Sequence, residues 1–148
     1  EMADPYSYRN ARSDERAQIF QLYRTVMRSY IEQIWGWDEQ WQEREFAEHF
    51  EPDQITVALV GEKLVGYIQV EPQGEALYIR MLLLAAEYRR QGIGALILGL
   101  VLSAASEQHL GVKFRVFKIN ESAKRFYERH GFRVVGETST SLEMKFDP

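Results

Sequence analysis

The stretch that most constrains this chain is Arg89-Arg90-Gln91-Gly92-Ile93-Gly94-Ala95. An apolar run over residues 76–86 precedes it and reads as a buried strand. A long amphipathic segment over residues 96–109 follows and reads as a helix. A strand, a glycine-bearing turn and a helix start together make a place for a phosphate group. The first amides of a helix have no partner inside it, and the helix dipole favours negative charge there. Glycines remove the side chains that would hold a pyrophosphate off that backbone. With two arginines beside them, these glycines suit a polyphosphate. The dinucleotide fingerprint fails, because Ile97 stands where a third glycine or alanine belongs, and no Gly-Lys-Ser/Thr is present for a Walker loop.

The bulk of the chain narrows the classes further. At 148 residues it reads as one domain over residues 2–148, long enough for a sizeable core. Without cysteine there is no disulfide, thiolate metal site or cysteine nucleophile. A net charge of −4 argues against nucleic acid as a partner, since duplex binding needs a broad basic surface. No apolar run approaches the roughly 20 residues that span a bilayer, and no charged-then-apolar leader pattern is visible. The expectation is a cytoplasmic protein with neither a membrane nor a nucleic-acid partner.

Periodicity lays out the elements. Residues 6–11 read as a strand, and Ser13 or Asp14 as the cap of a helix carrying Ile19, Phe20, Tyr23, Met27 and Tyr30. Asp38 reads as the cap of a second helix ending before Pro52. Residues 54–60 and 63–70 flank a Gly61-Glu62 hairpin turn, and Pro72-Gln73-Gly74 reads as another turn. Gly111 reads as the terminator of the helix after the glycine turn. A strand over 113–117 follows, then a short helix over 121–130 capped by Asn120 and stopped by Gly131. Strands over 132–135 and 141–146 complete the pattern. The order β-α-α-β-β-β-α-β-α-β-β implies a mixed α/β sheet with helices on its faces.

A second motif sharpens the first: Asn120-Glu121-Ser122-Ala123-Lys124-Arg125-Phe126-Tyr127, closed by Gly131-Phe132. In this order and spacing the two motifs resemble the GNAT superfamily of acyl-CoA-dependent N-acyltransferases. The resemblance covers the element order of nearly the whole chain and is sharpest over residues 77–136. It implies a mostly antiparallel sheet of about seven strands with about four helices, splayed between the strands before and after the cofactor-binding helix. It implies acetyl-CoA as cosubstrate, with the amides of Gln91, Gly92, Ile93, Gly94 and Ala95 on the pyrophosphate and Arg89 and Arg90 adding charge. The backbone of Leu82 and Leu84 would pair with the pantetheine arm, Asn120 would contact the cofactor, and Tyr127 would be the general acid. The implied reaction is direct transfer of acetyl to a primary amine of a small molecule or peptide. A non-catalytic acyl-CoA sensor is the alternative, and a homodimer is possible.

The base departs from the family's pattern. The glutamate of the histone-acetylating branch corresponds to Tyr78 here, and that of ribosomal-protein relatives to Arg115. Glu32 is the first candidate base and Glu71 the second. Arg80 shares a strand face with Tyr78 by alternation, and Arg115 lies on the neighbouring strand. Two inward arginines would favour an acceptor carrying a carboxylate, which guanidinium grips in a forked fashion. Trp35, Trp37 and Trp41 would form an aromatic wall. Arg89, Arg90, Lys118, Lys124, Arg125 and Arg129 gather around the phosphate turn and read either as solvated charge or, for some of them, as steering the cofactor, with Lys124 and Arg125 individually read as surface. His49, His109 and His130 show no metal-ligand spacing, so no metal is expected.

Overall fold

The computed structural model describes residues 6–148. Its elements are β1 (Tyr6–Asn10), α1 (Arg16–Ile34), α2 (Glu39–His49), β2 (Ile55–Val60), β3 (Lys63–Gln73), β4 (Ala76–Leu84), α3 (Ile93–Glu107), β5 (Gly111–Phe117), α4 (Glu121–Arg129), β6 (Arg133–Glu137) and β7 (Ser141–Phe146). The strands form one sheet in the order β1-β2-β3-β4-β5-β7-β6. The β4–β5 pairing is parallel, and β1–β2, β2–β3, β5–β7 and β6–β7 are antiparallel. The parallel ladder runs from Ala76↔Gly111 to Ile79↔Phe114 and stops short of both strand ends. This is the α/β architecture expected from the sequence. The chain divides into two compact units, the first running through Gln69 and including Met81–Leu98, the second comprising Val70–Arg80 and Gly99–Pro148.

In the first unit, Ile55 and Val57 of β2 and Val65 and Tyr67 of β3 are fully buried, as is Ile19 of α1. Phe20 of α1 meets Phe46 of α2 at 5.2 Å between ring centroids. Asp38 caps α2 by accepting from the Trp41 amide at 3.0 Å. Arg9 grips Glu15 with both terminal nitrogens, at 3.0 and 2.7 Å. That hydrogen bonding pulls the Glu15 carboxyl down from 4.5 to about 2, against the opposing cost of burial. Gly66 lies where β3 meets the end of β4. A Cβ there would sit 2.5 Å from Leu84 Cδ2 and 2.6 Å from the Leu83 carbonyl oxygen.

In the second unit, Val112, Phe114 and Val116 of β5 are buried and alternate with exposed Lys113 and Arg115. Asn120 Oδ1 accepts from the Ala123 amide at 3.2 Å and caps α4. Gly131, at φ 93°, ends α4, and the Phe132 amide returns to the Tyr127 carbonyl at 3.1 Å.

Four local expectations change. The segment Ser13–Glu15 is a single 3-10 turn, and α1 starts only at Arg16; neither Ser13 nor Asp14 caps it. Strand β3 runs through Pro72 to Gln73, so the turn is Gly74-Glu75. Helix α3 begins at Ile93 rather than 96, because the Leu96 amide already bonds the Gly92 carbonyl at 3.0 Å. Finally, His109 takes the left-handed position at φ 59° after α3, with Leu110 N–H returning to Ala105 O at 2.9 Å, so Gly111 is free to open β5.

Candidate functional site

The glycine turn lies in the first unit. After β4 the chain makes a 3-10 turn over Ala86–Tyr88, then passes through Arg90 at φ 63° and Gly92 at φ 85°. A side chain is strained at such angles, so Gly92 holds a backbone shape that its neighbours must follow. A Cβ at Gly92 would meet no atom within 4 Å, so space lies open before it. Because α3 starts at Ile93, the amides of Ile93, Gly94 and Ala95 form its first turn, where helical amides lack internal partners. Arg89, Arg90, Gln91 and Gly92 are exposed. Leu82 and Leu84 are half-buried on either side of buried Leu83. The geometry is that of an anion cradle built from main chain at a helix N-terminus.

The turn is braced. The Ala85 amide donates to the Val65 carbonyl at 2.8 Å. Lys63 Nζ lies 5.4 Å from the centroid of the Tyr88 ring. Gln91 accepts from Tyr6 Oη at 2.9 Å and donates through Nε2 to the Glu87 carbonyl at 3.1 Å. Tyr6 opens the first strand and belongs to no motif, so nothing local in the sequence marks its contact with the turn.

In the second unit, Tyr127 stands out. It is 2% exposed, stacked on Phe114 at 4.2 Å and edge-on to Phe126 and Phe132, each at 5.2 Å. Its hydroxyl is buried and has no hydrogen-bond partner among the described residues. Burial pushes the phenol well above its ordinary value, so it stays protonated. Leaving a buried hydroxyl unpaired costs about 1–3 kcal/mol.

The remaining candidates are distributed as follows. Arg80 Nη1 lies 3.8 Å from Glu71 Oε2, and both side chains are half-buried. Tyr78 is opposite Lys113 in the parallel ladder. Arg115 Nη2 donates to Glu143 Oε2 at 2.8 Å, on the face of β5 opposite Phe114. The basic cluster of this unit is largely paired: Lys118 with Glu137 at 3.1 Å, Lys124 with Glu128 at 3.7 Å and Arg125 with Glu121 at 3.5 Å.

In the first unit, Glu32 is 54% exposed and lies 3.5 Å from Arg28. Trp37 is half-buried, its Nε1 donating to Glu39 Oε1 at 2.8 Å, whereas Trp35 and Trp41 are 66% and 50% exposed. His49 does stand with carboxylates: its ligand-type atom and those of Glu45 and Glu48 lie within 4.8 Å of one another on α2. A short i, i+3, i+4 grouping on an exposed helix end is common without an ion.

Comparison with known proteins agrees with this geometry. The model of the Acetyltransferase (GNAT) domain family matches residues 24–146. Streptothricin acetyltransferase A of Bacillus subtilis is 25% identical over 142 residues, covering 86% of this chain and 81% of that protein. Among solved structures, the PaiA N-acetyltransferase of Thermoplasma acidophilum in complex with coenzyme A superposes with a TM-score of 0.80 at 16% identity, covering 97% of this chain and 99% of that one. Arabidopsis thaliana Naa50 in complex with the bisubstrate analogue CoA-Ac-MVNAL gives 0.71 at 23%, covering 97% and 99%. No helix among the described residues is long and apolar enough to cross a membrane. The chain belongs to the GNAT acetyltransferase family and is an N-acetyltransferase.

Proposed function

We propose that this enzyme moves an acetyl group from acetyl-CoA to a primary amine of a small molecule or peptide, acting as one domain over residues 2–148. The observation that carries the proposal is the Tyr127 hydroxyl, a buried donor with no hydrogen-bond partner among the described residues. The thioester sulfur supplies one. Support also comes from relatives: the PaiA structure contains coenzyme A, and the Naa50 structure a CoA-peptide conjugate.

The residues divide the work. The amides of 91–95 hold the diphosphate, with Arg89 and Arg90 adding charge, and Asn120 contacts the cofactor while capping α4. The backbone of Leu82 and Leu84 pairs with the pantetheine arm and donates to the thioester carbonyl as it becomes an oxyanion. The amine nitrogen attacks the carbonyl carbon, the C–N bond forms and the C–S bond breaks. Tyr127 hydrogen-bonds the departing sulfur. Starting from the ammonium form, the nitrogen loses two protons, one through the base to solvent before attack and one from the tetrahedral adduct, while the sulfur leaves with one proton from Tyr127, which is reprotonated in turn. The nitrogen needs help before attack, because deprotonating a lysine-like amine at pH 7 costs about 4.6 kcal/mol. Of the two candidate bases, Glu71 is the more sheltered, 27% exposed against 54% for Glu32. Arg80, at the long distance of 3.8 Å from Glu71, has donors to spare for an acceptor carboxylate. Tyr78, Trp35 and Arg115 complete the acceptor candidates.

A panel of amines, with and without a carboxylate, tests the proposal by release of free CoA thiol. Release that depends on one amine supports it. Tight CoA binding without turnover on any amine would instead favour an acyl-CoA sensor.

A further inference from the structure

We infer that Tyr6 and Gln91 form a clamp that sets the shape of the phosphate-binding turn, making the first strand a positioning element of the cofactor site. The inference rests on the proposed use of that turn by CoA, and on geometry that the family motif does not contain. Gln91 sits inside the turn, one residue before Gly92, and its side-chain amide is engaged at both ends. Its Nε2 donates back to the Glu87 carbonyl and closes a loop over residues 87–91. That loop holds Arg90 in the left-handed region at φ 63°, a conformation that non-glycine residues adopt only when their surroundings enforce it. Its Oε1 accepts from Tyr6 Oη, which arrives from a strand 85 residues away in sequence. Tyr6 is itself registered against Val60 at the edge of the β1–β2 ladder.

The consequence is directional. Without the clamp, Arg90 is free to relax toward ordinary angles, and the amides at 91–95 lose their common aim. A turn that must be ordered on binding gives up affinity to that ordering. The side chain of Gln91 therefore serves the cofactor indirectly, through the position of its own backbone. In this clamp Tyr6 is a positioning residue that bears on the turn through its bond to Gln91.

Calorimetric titration of CoA into the wild-type protein, Tyr6→Phe, Gln91→Ala and the double variant tests the clamp. Tyr6→Phe keeps the ring and removes one exposed hydrogen bond, so the CoA Kd should rise about 3-fold. Gln91→Ala should raise it about 10-fold, and the double variant should match Gln91→Ala alone, because the clamp joins the two side chains in one bond. In turnover the loss should fall on the acetyl-CoA KM rather than on kcat. Thermal midpoints of the CoA-free variants should stay near the wild type. An unchanged Kd for Tyr6→Phe, or effects that simply add in the double variant, would overturn the clamp while leaving CoA binding intact. Absence of CoA binding by the wild type would overturn the functional proposal itself.

Discussion

The Tyr127 ring lies 4.2 Å from the Phe114 ring, centroid to centroid and nearly parallel, with its hydroxyl buried and unpaired among the described residues. The ring holds the core of the second unit, and the hydroxyl contributes nothing to it. Removing the hydroxyl should therefore separate folding from chemistry. Tyr127→Phe should keep stability or raise it by up to about 1 kcal/mol, because a buried orphan is removed. The same change should lower kcat by roughly 10² if the hydroxyl serves the departing sulfur. Urea unfolding and steady-state kinetics measured together check this; an unchanged kcat removes Tyr127 from the reaction.

Gly66 should tolerate no side chain. A Cβ would press on the Leu83 carbonyl, which belongs to the main chain and cannot swing aside. Gly66→Ala should cost about 1–3 kcal/mol by overpacking and should raise the acetyl-CoA KM, because Leu84 is displaced with it. Denaturant unfolding gives the first quantity and initial rates the second.

Acid should expose the Arg9–Glu15 pair. The folded Glu15 carboxyl titrates near 2 instead of 4.5, so its contribution is fully present above the unfolded value and is lost as pH falls through the folded one. Allowing for solvent around Arg9, the contribution is about 2 kcal/mol. Glu15→Gln should lower stability by that amount at pH 7, with the gap to wild type narrowing between about pH 4.5 and 2. Chemical unfolding along a pH series measures the gap, and a constant gap would refute the assignment.

Arg80 and Glu71 should have separable effects. Arg80→Ala should raise KM for an acceptor bearing a carboxylate at least 10-fold more than for its neutral analogue, about the worth of a charge-assisted hydrogen bond. Glu71→Gln should lower kcat/KM, whereas Glu32→Gln should do so only if the more exposed carboxylate is the base. Initial rates of both variants on one good acceptor decide between them.

What the sequence discloses follows from the range of each interaction. Asp38 and Asn120 are legible as caps because a capping oxygen bonds an amide three residues on. The glycine turn is legible because its strand, glycines and helix are contiguous. The ends of α3 are less so: Gly92 draws the helix start back into the turn, and His109 adopts a backbone angle that glycine would normally take. Long-range partners leave no local trace. The Arg115–Glu143 pair depends on the β5–β7 register, and the Tyr6–Gln91 bond on two segments 85 residues apart. Tyr127 is recognisable by its motif, but only the packed aromatic cluster reveals that its hydroxyl is unpaired and that burial lifts its pKa.

The most direct test of the central claim is calorimetric titration of CoA into folded wild-type protein and Gly92→Ala. The account predicts saturable binding by the wild type, accompanied by a rise in thermal midpoint, and at least about 10-fold weaker binding by Gly92→Ala, whose Cβ would be strained at φ 85°. No heat of association and no thermal shift with the wild type, or equal affinity for both proteins, would contradict it.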